Sequence, residues 1–181
     1  RLGINMIPIT KPYVQETDLK YFKDVINSKI FTDGKYQKKS EILIKNLIKS
    51  KFVALTQSCT AALEISAILL NLKKGDEIIM PSYGFVSISN AIVLRGAKPV
   101  FVEVDPNTLN MCPEDLKKKT TKKTVAIYLI HYAGHSCELD KILEIKKKNK
   151  IFLIEDAAHA FLAKYKNKYL GTLGDFGTYS F

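Results

Sequence analysis

Unbroken apolar runs separated by small polar clusters fill the chain from residue 51 onward. Six of them read as strands: Lys51–Gln57 (KFVALTQ), Glu77–Ser82 (EIIMPS), Lys98–Asp105 (KPVFVEVD), Thr124–Tyr132 (TVAIYLIHY), Ile151–Asp156 (IFLIED) and Phe176–Phe181 (FGTYSF). Most are continuous rather than alternating, the pattern of strands covered on both faces. Between them apolar residues recur at helical spacing in TAALEISAILLNL, which opens on Thr60 and closes before Gly75, in FVSISNAIVLRGA and in ELDKILEIKKKNK. Two amphipathic patterns, ETDLKYFKDVINS and KKSEILIKNLIKS, come first. The expected organisation is a helical segment over 1–50 and an α/β core over 51–181, without repeats or a linker. Strand alternating with helix predicts an α/β layer fold with a mainly parallel sheet.

Ligands of such sheets bind beyond the carboxyl ends of the strands. Here those ends read TQSCT, PSYGF, HYAGH, EDAAH and YSF, polar and aromatic where the strands behind them are apolar. At Gln57-Ser58-Cys59-Thr60 a strand turns into a helix, whose first amides have no internal partners and suit an anion such as phosphate. An ordinary N-cap by Ser58 or Thr60 explains the same residues. Tyr83 and Phe85 offer flat faces to a planar ligand, or belong to the core. Asp156 closes an apolar strand, and a buried carboxylate needs a partner. A protonated ring nitrogen, the next helix, or a metal shared with His159 would each serve. His131 and His135 have HxxxH spacing, but Gly134 lies between them and no helix is predicted there, so a zinc pair is not expected. Asp175-Phe176-Gly177 matches the kinase magnesium motif without the loops that accompany it, a chance match.

Composition narrows the classes. A chain of 181 residues, 46% hydrophobic and 25% charged, fits one soluble globular domain. No apolar run reaches the ~18 residues of a membrane span. RLGINMIPIT is no signal peptide, and Arg1 to Asn5 ahead of Met6 read as an upstream remnant. Cys59, Cys112 and Cys137 form neither CxxC pairs nor an even set, which argues for reduced thiols, and a cytoplasmic location follows. The net charge of +10 raises nucleic-acid binding. Only Arg1 and Arg95 are arginines, however, and the lysine runs LKKKTTKK and EIKKKNK read as solvated faces, so nucleic acid is not the expected partner.

Taken in order, SCTAALE, GDEIIMPSYGFVSISNAIVLRGAKPVFVEVD, HYAGHSCELDKI, EDAAHA and YLGTLGDFGTYSF resemble the DegT/DnrJ/StrS family of pyridoxal-phosphate-dependent sugar aminotransferases. The resemblance runs from about Ile7 to Phe181 and is similar in phrasing to the dTDP-4-amino-4,6-dideoxygalactose transaminase branch. It implies the large domain of the aspartate-aminotransferase type I fold with pyridoxal 5'-phosphate as cofactor. It implies that Cys59 and Thr60 hold the cofactor phosphate with Ser180, that Phe85 stacks on the ring, that Asp156 pairs with the ring nitrogen, and that His159 sits beside the ring. The implied reaction moves an amino group from glutamate to a nucleotide-linked keto-deoxysugar, for surface polysaccharide. Lys29–Glu41 resembles the family's loop near a homodimer interface. The family's Schiff-base lysine is expected about four residues past Phe181, and a further strand and the small domain are expected beyond it. Two alternatives stand beside this reading: a dehydratase of the same family, with histidine in the lysine's place, and a catalytically incomplete fragment or split-gene product.

Overall fold

A computed structural model of the chain describes residues 11–181. The expected remnant Arg1–Asn5 and the start of the resemblance at Ile7 lie outside them. The chain divides into two compact units, Arg1–Ile42 and Leu43–Phe181. The boundary falls inside the second helix, eight residues ahead of the expected one at 50/51.

In the first unit, α1 (Glu16–Ser28) has the bounds that its periodicity predicts. The Asp18 carboxylate accepts from Gln15 N at 2.9 Å, and Lys29 ends the helix with a left-handed φ of 54°. Helix α2 (Lys35–Ile48) starts three residues earlier than its sequence pattern. Asp24 receives Lys35 and the hydroxyl of Tyr36, and the Lys35 hydrogen bond is the main cause that holds its carboxyl below the usual range. No residue of α1 is buried, and Leu19, Phe22 and Ile26 are exposed.

The second unit holds a five-stranded parallel sheet. Its elements are α3 (Cys59–Leu69), β1 (Glu77–Pro81), α4 (Ser87–Val93), β2 (Lys98–Val102), α5 (Pro113–Lys119), β3 (Thr124–Ile130), α6 (Leu139–Asn149), β4 (Phe152–Asp156), the hairpin β5 (Lys164–Tyr165) and β6 (Lys168–Tyr169), and β7 (Phe176–Thr178). The order across the sheet is β2-β1-β3-β4-β7. Register pairs Ile79 with Ile127 and Ile127 with Leu153. Alternate residues of each strand therefore feed two cores. Ile79, Ile127, Leu129 and Leu153 pack with Leu116 of α5 and with Leu139 and Ile142 of α6. Ile78, Met80, Tyr128 and Ile154 pack with Leu63 of α3 and with Ile88 and Ile92 of α4. This two-sided burial is why the strands read as unbroken apolar runs.

Several sequence expectations are corrected. Lys51–Gln57 is not a strand: a cleft of about 1210 Å³ lies between it and β7, so the two do not form a ladder. The Lys98–Asp105 run stops at Val102, because Asp105 Oδ1 accepts from Asn107 N and Thr108 N and turns the chain toward Leu109, with φ 58°. The strands expected to reach Tyr132 and Phe181 end at Ile130 and Thr178. Helix α5 was missed, although its Pro113 at the start, Glu114 and Asp115 in the first turn and three lysines in the last suit the helix dipole. The β5–β6 hairpin was missed as well. Its turn residues Lys166 and Asn167 both have positive φ, the geometry of a tight hairpin turn but without the usual glycine.

Glycine is required at one point of β7. A Cβ on Gly177 would lie 1.9 Å from Gly171 O, so the edge strand presses directly on the preceding loop. The core itself is tested by Leu129→Ala, which empties a fully buried site. Urea unfolding should show a loss of about 2–5 kcal/mol. Leu69→Ala, at a side chain 63% exposed, should stay within about 0.5 kcal/mol.

Candidate active site at the carboxyl edge of the sheet

Two adjacent carboxylates end β4. Glu155 and Asp156 point to opposite faces of the strand, and their surroundings differ. Glu155 is fully buried and accepts from His131 Nε2 at 2.8 Å, Gly171 N at 2.9 Å, Leu173 N at 2.7 Å and Gly174 N at 2.6 Å. His131 Nδ1 accepts from Cys137 N at 3.3 Å, which leaves the ring proton on Nε2 to donate to Glu155. This pair is saturated. It anchors the loop that enters β7.

Asp156 is buried too, but only its Oδ1 is engaged. That oxygen accepts from Ala158 N at 3.0 Å and lies 3.9 Å from Cys59 Sγ, while Oδ2 takes no hydrogen bond among the described residues. Burial is the largest influence on Asp156 and pushes its carboxyl above the usual range, against the Ala158 amide and the nearby His159. Beside it, Thr178 Oγ1 is buried without a hydrogen bond of ordinary geometry. Burial raises the Cys59 thiol, and its neighbour Thr178 partly offsets this.

Helix α3 starts at the same place. Ser58 is its N-cap, extended in backbone, and its hydroxyl accepts from Ala61 N at 3.1 Å. The choice that the sequence left open between Ser58 and Thr60 thus falls on Ser58. The amides of Cys59 and Thr60 make no hydrogen bond among the described residues, and the positive end of the helix dipole adds to them. Ser58, Cys59, Thr178 and Ser180 line the cleft between α3 and β7.

The remaining predicted residues are less closely tied. His159 is exposed and stands edge-on to Tyr132, with ring centroids 6.0 Å apart. Phe85 lies in the loop after β1 at 72% exposure, without a ring contact among the described residues. A Cβ on Gly84 before it would meet Ile130 Cδ1 at 2.1 Å, so a side chain there would require Ile130 to turn aside, and the φ of 155° strains it further. Sequence reasoning passed over Tyr132 and Thr178. Tyr132 packs on Tyr83 at 5.1 Å with hydroxyls 3.1 Å apart, and the buried Asn110 side chain accepts from its amide at 2.9 Å. HYAG at the end of an apolar run was the available signal. His131, weighed as half of a metal pair, serves Glu155 instead. Asp175 of the DFG match accepts from Leu153 N and pairs with Lys146.

The parallel sheet flanked by helices is shared with solved pyridoxal-phosphate-bound enzymes at TM-scores of 0.92 and 0.90, which makes it the large domain of a pyridoxal-phosphate-dependent transferase of the aspartate-aminotransferase type. The chain belongs to the DegT/DnrJ/EryC1/StrS aminotransferase family, whose model matches residues 12–181. It is 42% identical over 177 residues to MJ1066 of Methanocaldococcus jannaschii, covering 98% of this chain and 46% of that protein. It is 36% identical over 176 residues to the GDP-perosamine synthase of Escherichia coli O157:H7, covering 97% of this chain and 48% of that one. Among solved structures it is similar to E. coli GDP-4-keto-6-deoxy-D-mannose-3-dehydratase with bound hydrated PLP, with TM-score 0.90 and 31% identity over 95% of this chain and 46% of that one. The chain spans about half the length of the curated relatives it matches.

The raised Asp156 carboxyl has a testable sign. Its contribution to stability is present in full below the ordinary carboxylate range and is lost as pH rises through the raised value. Without a ligand, Asp156→Asn should therefore raise the urea midpoint at neutral pH, and the gap should close as pH falls below about 4. An equal gap at every pH would deny the carboxylate this role.

Proposed function

We propose that the protein uses pyridoxal 5'-phosphate to move an amino group from glutamate to the keto carbon of a nucleotide-linked 4-keto-6-deoxyhexose. The observation that carries this reading is Asp156, buried and raised by that burial, with Oδ2 open beside the start of α3. These residues fit the cofactor. The free amides of Cys59 and Thr60 and the hydroxyls of Thr178 and Ser180 suit its phosphate. Cys59 contributes through its backbone, because its thiol turns toward Asp156. Asp156 Oδ2 would accept the N–H of the ring nitrogen and so favour the cationic ring. Phe85 would cover a ring face, and His159, edge-on to Tyr132, would stand beside the ring. Bound there, the cofactor supplies the electron sink for the carbon that gains or loses nitrogen.

The strand-end loops 82–86, 131–137, 157–163 and 179–181 carry no lysine. Partner contact in a homodimer is supported by the exposed Leu19, Phe22 and Ile26 of α1 and by the resemblance of Lys29–Glu41 to an interface loop. Three free cysteines support a cytoplasmic setting. A dTDP-linked sugar was the sequence expectation; the similarity to a GDP-perosamine synthase favours a GDP-linked one. A second reading, dehydration without amino transfer, has the support of the similarity to the 3-dehydratase.

The test supplies full-length protein with glutamate and either GDP- or dTDP-linked 4-keto-6-deoxyhexose. Mass spectrometry of the sugar and release of 2-oxoglutarate give the readout. A nitrogen-containing sugar, faster from the GDP substrate, is expected. A sugar that loses a hydroxyl and gains no nitrogen overturns amino transfer in favour of dehydration. Asp156→Ala should lower turnover on the order of 10²-fold or more.

A further inference from the structure

The net charge of +10 is not spread over the molecule. Of 28 Lys and Arg and 18 Asp and Glu, thirteen basic side chains and one acidic side chain fall in four stretches: KKGD (73–76), RGAK (95–98), KKKTTKK (117–123) and KKKNK (146–150). The rest of the chain keeps 15 basic against 17 acidic residues and is, on its own, slightly acidic.

The fold gathers these four stretches at one edge. They lead into β1, β2, β3 and β4, whose first residues neighbour one another in the parallel sheet. Glu77 N donates to Lys123 O at 2.9 Å, Lys98 N to Asp76 O at 2.8 Å and Ile151 N to Lys146 O at 3.2 Å, which ties the turns to that edge. At the usual strand spacing the four starts span roughly 14 Å. Lys119 pairs with Asp115, Lys146 with Asp175, and Lys98 lies 3.9 Å from Glu77. Lys117, Lys122, Lys123, Lys147, Lys148 and Lys150 are exposed and make no salt bridge among the described residues. At the other edge, loops 82–86, 103–112, 131–137, 157–163 and 179–181 hold neither Lys nor Arg.

The chemistry of the basic edge selects its partner. The four stretches contain no aromatic residue on which a base could stack. They contain one arginine, so the planar forks that read phosphates and base edges are nearly absent. Point charges on flexible stems, set in exposed turns, suit a fluid layer of anionic headgroups, where each lysine adds its own increment. We infer that this edge docks the protein on an anionic lipid surface. The site at the carboxyl edge then faces away from the bilayer, on the order of 20 Å above it, the length of β3.

The experiment is cosedimentation of full-length protein with vesicles of phosphatidylglycerol and phosphatidylcholine in equal parts, beside vesicles of phosphatidylcholine alone. Binding to the anionic vesicles only is expected. Replacing Lys117, Lys118, Lys122 and Lys123 by Gln should weaken it on the order of 1000-fold. A second set, Lys147, Lys148 and Lys150→Gln, tests the same edge independently of the fold of the first. Removing two lysines of the β5–β6 hairpin, Lys164 and Lys168→Gln, should change it only a few-fold. No binding to anionic vesicles, or equal losses in the edge and control variants, overturns the inference. So does tighter binding to duplex DNA than to the vesicles.

Discussion

The Glu155 carboxylate is the point from which the site end of the sheet is built. A lone carboxylate with no exposure to water would cost several kcal/mol. Four donors offset that cost, and three of them are backbone amides of one loop, Gly171 to Gly174. The loop cannot take another path without stranding the charge. It delivers the chain to β7, and β7 delivers Thr178 and Ser180 to the cleft beside α3. The fourth donor, His131, fixes the end of β3 and so the loop that presents Tyr132. One residue on, Asp156 has the reverse arrangement: an oxygen left open on the face that meets α3. Strand periodicity separates a sealed charge from an available one within two residues.

Much of this was legible in the sequence, because two-sided burial writes apolar runs and the polar ends of those runs mark the carboxyl edge. Asp156 and the turn at Ser58-Cys59-Thr60 stood out from that contrast, while Ser180 came from the family resemblance; Cys59 and Ser180 line one cleft, and the Cys59 thiol lies 3.9 Å from Asp156 Oδ1. Where reading failed, the deciding contacts lie outside the segment concerned. KFVALTQ has strand composition, yet a strand exists only with a neighbour, and the cleft beside β7 withholds one. Glu155 and Asp156 are indistinguishable as letters; the amides of a loop fifteen or more residues later tell them apart. PEDLKKK was read for its lysines, while its Pro and first-turn acids were the stronger signal of a helix. Thr178 sits in an ordinary small-residue strand, and nothing local marks its hydroxyl as buried without a hydrogen bond of ordinary geometry among the described residues.

The sheet is electrically polar as well as chemically so. The turns that open the strands carry the whole positive excess, and the turns that close them carry none. In the proposed site an anion at the closing edge would be met by helix amides and hydroxyls at contact distance rather than by diffuse cationic attraction. Dipoles that act at contact favour a ligand of defined shape; charges that act at range favour any anionic surface.

The direct contact of Gly177 with Gly171 ties the rim of the sheet to its buried charge. With 1.9 Å between a notional Cβ and the loop carbonyl, any side chain at 177 would push β7 away from the loop beneath it. That loop, in turn, takes its shape around Glu155. The edge strand and the solvation of a buried carboxylate are therefore mechanically linked: what displaces one disturbs the other.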